Sequence, residues 1–168
     1  MWITESIVSR HPEASHLVGV REYRGRPDSV RRAQAYGANL RQSGVHEKRG
    51  RGLVKVIARS LRYPADRPQT PAQEKGIDVA LAVDFVTMAV GRAFYIAVLM
   101  STDSDLVPAL EAVVSLNGRP SPRCEVAAWS RPESSSRRLR VAGARVCCHW
   151  LGPDDCVAVA DLVEQPTA

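Results

Sequence analysis

Short apolar segments alternate along the chain with segments whose apolar residues follow a helical spacing. The longest apolar segment, residues 94–100 (FYIAVLM), is typical of a strand buried on both faces of a parallel sheet. Residues 105–116 predict a helix with one apolar stripe, and residues 78–90 predict a helix that is apolar nearly all round. Strands that alternate with helices indicate an α/β fold with a mainly parallel sheet. The predicted strands are residues 17–20, 53–58, 94–100, 124–129 and 145–150, and two more helices are predicted, from residues 27–29 to just before Gly44 and at residues 157–163.

The length of 168 residues suits a single domain with a buried core, and the sequence shows no internal repeat. The proline-rich residues 64–73 predict a surface loop within this domain. An apolar content of 45% excludes a disordered chain. No apolar run approaches the ~20 residues that a membrane helix needs, and the first residues lack the pattern of a signal peptide. We therefore expect a soluble, cytoplasmic protein.

The net charge of +5 is unevenly distributed along the sequence. Residues 1–70 contain 14 Lys or Arg and 6 Asp or Glu. In residues 71–116 the balance is reversed, with 2 Lys or Arg and 6 Asp or Glu. The basic first part suggests a polyanionic partner, and the acidic middle suggests carboxylates that bind a divalent cation. A solvated basic face with ordinary helix-capping acids explains the same charges equally well.

The sequence pattern around the cysteines and histidines predicts structural roles for these residues. The four cysteines, at 124, 147, 148 and 156, lack the spacing of a zinc site. Cys147-Cys148-His149 could form a thiol nucleophile or a metal site, but the strand-like alternation of residues 146–150 favours buried structural side chains. His11, His16 and His46 lie in polar segments and are predicted to be exposed and without a specific role.

Five polar residues, 101–105 (STDSD), directly follow the strongest predicted strand. Ligands of open parallel sheets bind beyond the carboxyl ends of the strands, so Asp103 and Asp105 are expected to face a cleft. Capping of the following helix accounts for one such residue, but not readily for all five. Asp78 opens the helix at 78–90 and could be a simple cap, whereas Asp84 lies inside that apolar helix, where an acid is costly unless it is paired or functional.

These segments resemble a known family. Residues 74–84 (EKGIDVALAVD), the strand at 94–100 and residues 101–105 are similar to the NYN domain family, which belongs to the PIN-like nuclease superfold. Its members typically show a Lys-Gly-x-Asp helix start and a Ser-x-Asp-Ser-Asp turn after a hydrophobic strand. The resemblance covers roughly residues 17–150 and implies a three-layer, Rossmann-like (PIN-like) arrangement, in which helices flank a mainly parallel sheet.

The resemblance also implies a metal-dependent ribonuclease that uses Mg²⁺ or Mn²⁺ to cleave single-stranded or structured RNA. Asp78, Asp103 and Asp105 match the catalytic and metal-binding carboxylates, with Asp84 and Glu74 as second choices. Lys75 matches a partner for a phosphate or a carboxylate. The basic residues expected to follow the RNA backbone are Arg31, Arg32, Lys48, Arg49 and Arg51.

One feature departs from the family. NYN domains normally begin with a hydrophobic strand that ends in an aspartate, a principal metal ligand, and residues 1–16 contain no such strand. Either that strand lies upstream of this sequence, or the chain is a degenerate relative that has kept the scaffold and lost catalysis. The alternatives to a nuclease are therefore an RNA-binding module and a protein-interaction module. Loss of a central strand would expose strand edges, so a homodimer is also compatible with the resemblance.

Overall fold

The computed structural model describes residues 3–11, 15–26, 52–66, 69–116, 122–130 and 137–160. The chain divides into two compact units, which are taken in turn. One contains Val18–Val83, and the other combines Met1–Leu17 with Asp84–Ala168. Within the described residues, no helix is long and apolar enough to cross a lipid bilayer.

A pair of parallel strands forms the sheet of the Val18–Val83 unit. Strand β1, Val20–Arg26, pairs with β2, Val54–Ser60, residue for residue along their whole length. The predicted strand at 53–58 is therefore confirmed. The predicted strand at 17–20 is placed too early, because its apolar Val18 is 71% exposed while the hydrogen-bonded ladder runs through the more polar sequence that follows.

The described residues of the proline-rich segment 64–73, which exclude residues 67 and 68, form a loop between β2 and the next helix, as predicted. Its ends are joined by two backbone hydrogen bonds between Arg62 and Gln73, of 2.8 and 2.9 Å. Gly76 then adopts a φ of +71°, a conformation that glycine adopts without steric cost, and helix α2 begins at the following residue.

Helix α2, Ile77–Val90, confirms the helix predicted at 78–90. Ile77, Phe85 and Ala89 are buried, and Phe85 stacks on Phe94 with 6.2 Å between the ring centroids. This largely apolar helix buries one side only, because three of its four valines are exposed. The exposed valines of α2 are Val79, Val83 and Val90.

The second unit is built on a three-stranded parallel sheet in the order β3-β4-β5. Strands β3, Ile96–Met100, and β4, Arg123–Trp129, confirm two predicted strands, and β5, Cys148–Leu151, is a shorter form of the third. The expectation that the 94–100 segment is buried on both faces is wrong. Among the described strands β3 pairs with β4 alone, and only Leu99 of β3 is buried.

The predicted helix at 105–116 forms as a 3₁₀ turn, Ser104–Leu106, that continues into α3, Val107–Val114. Pro108 lies in the first turn of α3, where the missing N–H has no helical partner to lose. The predicted apolar stripe is confirmed, since Leu106, Leu110 and Val113 are buried, and α3 packs against β4.

Two more helices belong to the same unit as this sheet. Helix α4, Pro153–Ala160, begins four residues before its predicted start, directly after β5. Helix α1, Ile3–Ser9, was not predicted, and its buried Ile7 packs with Ala127 and Leu151. Arg10 fixes the end of α1 by donating to Trp150 O at 2.9 Å and by an ion pair with Asp155.

The helix expected between residues 27 and 44 lies outside the described residues.

Replacement of Leu110 by Ala tests the core beneath the sheet. Leu110 has no solvent-exposed surface, so its truncation leaves a cavity and is expected to lower the free energy of unfolding by about 2–5 kcal/mol. Urea unfolding followed by circular dichroism measures this loss. The control is Val114→Ala on the same helix, whose exposed side chain predicts a change of about 1 kcal/mol or less. Equal losses in the two variants would contradict this packing.

Candidate active site

The carboxyl end of β3 carries the two candidate acids that are closest in sequence. Parallel pairing aligns Met100, the last residue of β3, with Ala127 of β4, so residues 101–105 leave the sheet at its carboxyl edge. The turn is held by its own side chains, because the N–H of Asp103 donates to Ser101 Oγ at 3.1 Å. Sheet topology thus places Asp103 and Asp105 where parallel sheets bind ligands.

Asp103 is the N-cap of the 3₁₀ turn. Its Oδ1 accepts a hydrogen bond from the N–H of Asp105 at 2.9 Å, and its backbone is extended, with φ −75° and ψ 117°. Both carboxylates are exposed, while Leu106 immediately after them is buried and anchors the turn. The capping role considered from the sequence is therefore present, and it leaves Asp105 and the second oxygen of Asp103 facing solvent.

The remaining candidate acids lie around α2. Asp78 is exposed in the first turn of the helix, where its charge complements the helix dipole. Asp84 is half-buried and has interaction partners of its own. Glu74 has a structural role, because its Oε1 accepts the N–H of Gly25 at 2.7 Å, and a Cβ at Gly25 would collide with that same carboxylate. Lys75 is exposed beside it.

The structure brings some of these residues together. Asp103 and Asp105 share one turn, and Asp84 belongs to the same unit. Asp78 and Lys75 belong to the Val18–Val83 unit, so their grouping with Asp103 remains a prediction from the resemblance. The basic residues expected to contact RNA lie outside the described residues; these are Arg31, Arg32, Lys48, Arg49 and Arg51.

Comparison with known families decides the relationship of this chain. A family model of the NYN domain matches residues 6–145. The chain belongs to the NYN domain family. The match confirms the resemblance based on residues 74–84 and 101–105, and the parallel strands with flanking helices are consistent with a PIN-like NYN fold. Comparison with curated proteins and with solved structures gives no match.

A second cluster in this NYN domain was missed by the sequence analysis. Glu125 on β4 is buried against His149 of β5 and His11, which follows α1. The prediction that His11 is exposed is wrong, since its side chain is only 13% accessible. The sequence feature that could have revealed this cluster is Glu125, an acid inside a predicted strand that is otherwise largely apolar.

Cys124 and Cys148 do not have the lowered pKa of an activated thiol nucleophile. Burial raises the pKa of the Cys124 and Cys148 thiols, and at Cys148 the nearby Arg138 opposes this effect only in part. Cys147 and Cys156 are exposed, so the prediction of buried thiols is wrong for these two.

Replacement of Asp103 by Ala tests the cap. Loss of the acceptor for the Asp105 N–H is expected to lower the free energy of unfolding by about 0.5–2 kcal/mol. Asp103→Asn should retain most of this stability, because asparagine caps helices as well as aspartate does. Thermal and urea unfolding of the two variants and the parent protein measure the difference. Equal stability of the Ala variant and the parent would rule out a stabilising cap.

The raised pKa of Cys148 predicts slow alkylation. A raised pKa leaves less thiolate at pH 7, so iodoacetamide should modify Cys148 slowly, and the rate should keep rising above the ordinary thiol pKa of 9.0. Peptide mass spectrometry after timed alkylation between pH 7 and 10 gives this profile, with a cysteine-containing model peptide as the reference. A rate that levels off at or below pH 9 would contradict the shift.

Proposed function

We propose that this NYN domain is a divalent-metal-dependent ribonuclease that hydrolyses RNA phosphodiester bonds. The observation that carries the proposal is the pair of exposed aspartates in one ordered turn at the carboxyl edge of a parallel sheet. Family membership supports it, because the NYN domain family is grouped with the PIN-like ribonucleases. We assign metal binding and catalysis to Asp103, Asp105 and Asp78, with Asp84 as a further ligand.

The carboxylate oxygens of Asp103 and Asp105 are donors that suit a hard cation. Mg²⁺ binds oxygen atoms and commonly takes one or two protein carboxylates together with waters and substrate phosphates. Asp105 and the free oxygen of Asp103 are such donors, and both are exposed to solvent and substrate. The same residues fit Mn²⁺, which also favours carboxylate ligands.

The chain's own residues have distinct tasks in this proposal. Asp103 and Asp105 hold the cation, and the hydrogen bond from the Asp105 N–H fixes the orientation of the Asp103 carboxylate. When bound, Mg²⁺ or Mn²⁺ lowers the pKa of a coordinated water and neutralises charge on the leaving oxygen. Lys75 binds a phosphate of the RNA, and other basic residues follow its backbone. Those basic residues are Arg31, Arg32, Lys48, Arg49 and Arg51.

The second candidate function is an RNA-binding module without catalysis. It is favoured by the basic first part of the chain, because 14 Lys or Arg against 6 Asp or Glu in residues 1–70 suit binding to a polyanion whether or not cleavage follows. This alternative and the nuclease share the RNA partner, so metal-dependent cleavage is the measurement that separates them.

Replacement of Asp103 or Asp105 by Asn tests the nuclease. A labelled RNA with single-stranded and hairpin regions is incubated with the full chain and Mg²⁺ or Mn²⁺, and products are resolved on gels. Cleavage is expected with metal and not with EDTA, and each Asn variant should lower the rate about a hundredfold or more, because one ligand charge is lost. Asp103→Asn is informative because it preserves the cap while removing the charge.

The matched control is Glu111→Gln, which removes an exposed carboxylate from α3 in the same unit. This variant should cleave RNA at the parental rate. Cleavage that persists in Asp103→Asn would indicate a contaminating nuclease or a different site. RNA binding without cleavage by a folded parent protein would overturn the nuclease in favour of the binding module.

A further inference from the structure

A buried cluster of His11, Glu125 and His149 lies inside the Met1–Leu17 and Asp84–Ala168 unit. Two imidazoles converge on a single carboxylate oxygen. His149 Nε2 lies 2.6 Å and His11 Nε2 lies 3.3 Å from Glu125 Oε2, and the two imidazole centroids are 5.3 Å apart. None of the acids proposed for the nuclease site is a member of this cluster.

Strand register creates the cluster. Alternate residues of a strand face the same side, so Glu125 shares a face of β4 with Ala127, and Ala127 is paired with His149 on β5. Glu125 and His149 are therefore diagonal neighbours on one face of the sheet. The same alternation turns Cys124 and Cys148 to the opposite face of the sheet, so neither thiol shares the face that carries the cluster.

Helix α1 positions His11, the third residue of the cluster. Its Ile7 packs on Ala127 and Leu151, which lie on the face that carries Glu125 and His149. Arg10 is then tied to Trp150 O and to Asp155, and this fixes the direction in which the chain continues into His11. Hydrophobic packing and an ion pair thus hold His11 over the carboxylate.

A buried carboxylate needs compensation. Glu125 is 2% exposed, and removal of an ionised carboxyl from water is costly unless charge and hydrogen bonds replace the water. The guanidinium of Arg123 contacts Oε1 at 3.4 Å, but its side chain is 69% exposed and its charge is largely screened. Oε2, which faces both histidines, is the oxygen that a metal would bind.

The donor set selects the class of metal. Two imidazole nitrogens and one carboxylate oxygen are a ligand set of Zn²⁺ sites with an open fourth position, whereas Mg²⁺ and Ca²⁺ prefer oxygen alone. The three ligand atoms lie within 4.8 Å of one another. Zinc–ligand distances of about 2.0–2.2 Å place tetrahedral ligand atoms roughly 3.4 Å apart. His11 already meets this spacing to Glu125, and His149 must withdraw by roughly 0.8 Å.

We propose that His11, Glu125 and His149 form a zinc site that fastens the end of α1 to β4 and β5. The ligands are Nε2 of both histidines and Oε2 of Glu125, with water in the fourth position. Glu125 and Arg123 also line an open groove of about 280 Å³, so the groove borders one of the three proposed ligands. The site joins the first residues of the chain to strands near its other end, so its effect is on stability and is independent of RNA cleavage.

Titration of the full chain with Zn²⁺ tests the proposal. After treatment with EDTA, the reduced protein should bind one Zn²⁺ in isothermal titration calorimetry and show a higher melting temperature with the metal. Replacement of Zn²⁺ by Co²⁺ should give the visible absorption of a tetrahedral nitrogen and oxygen site. His149→Gln and His11→Gln should each weaken Zn²⁺ binding more than tenfold, because one of three protein ligands is lost.

Two controls separate this site from other metal binders. His16→Gln removes an exposed histidine outside the cluster and should leave Zn²⁺ binding unchanged. The double variant Cys147→Ser with Cys156→Ser removes the exposed thiols and should also keep the site. His11→Gln is the decisive variant, because His11 lies at the edge of the cluster and its loss leaves the Glu125–His149 pair to support folding. Circular dichroism verifies the fold of each protein before metal is added.

The proposal is overturned if the folded parent protein binds no Zn²⁺, or if His11→Gln and His149→Gln bind it as tightly as the parent. If the three residues form only a hydrogen-bonded cluster, the substitutions will lower the melting temperature equally with and without Zn²⁺, and this outcome also overturns it. Excess Mg²⁺ should leave the site occupied by Zn²⁺, and displacement by Mg²⁺ would show an oxygen-only site elsewhere.

Discussion

The parallel pairing of β4 with neighbours on both sides is the constraint on which this unit of the structure depends. Its residues Val126, Ala127 and Ala128 are buried one after another, so both faces of the strand are covered. Helix α3 packs against β4, while Ile7 of α1 packs on Ala127. The small alanine side chains permit this close covering, and the pairing aligns the carboxyl ends of β3, β4 and β5 at one edge.

The same pairing places two different sets of candidate metal ligands at different positions on the sheet. Asp103 and Asp105 lie at the carboxyl edge, exposed and with oxygen donors only. Glu125, near the amino end of β4, is buried with two histidines. Exposed carboxylates suit a hard, exchangeable cation that also meets a phosphate, whereas a buried set of nitrogen and oxygen donors suits a tightly held metal. The proposed nuclease site is of the first kind, and the proposed zinc site is of the second kind and follows from how α1 packs in this chain.

Local patterns predicted the elements well and the tertiary contacts poorly. The stripe of Leu106, Leu110 and Val113 identified its helix, because helix periodicity is encoded in neighbouring residues. Strand β1 was misplaced, since pairing with β2 stabilises a polar sequence that has little strand signal of its own. His11 was judged exposed from its polar neighbours, and only the packing of Ile7, a contact with distant strands, reverses that judgement.

The two carboxylate oxygens of Asp103 explain why its capping role and its proposed role as a metal ligand need not compete in the acidic turn. A carboxylate has two oxygens with about four acceptor sites, and the N–H of Asp105 uses one of them. That bond restricts the rotation of the carboxylate, so the entropy of orienting it is lost on folding and not when a cation binds. The buried Leu106 holds the turn from below, which keeps Asp105 next to it in a fixed position. A cap of this kind would orient the carboxylate for the proposed cation, and the sequence features that predict capping therefore also favour metal binding.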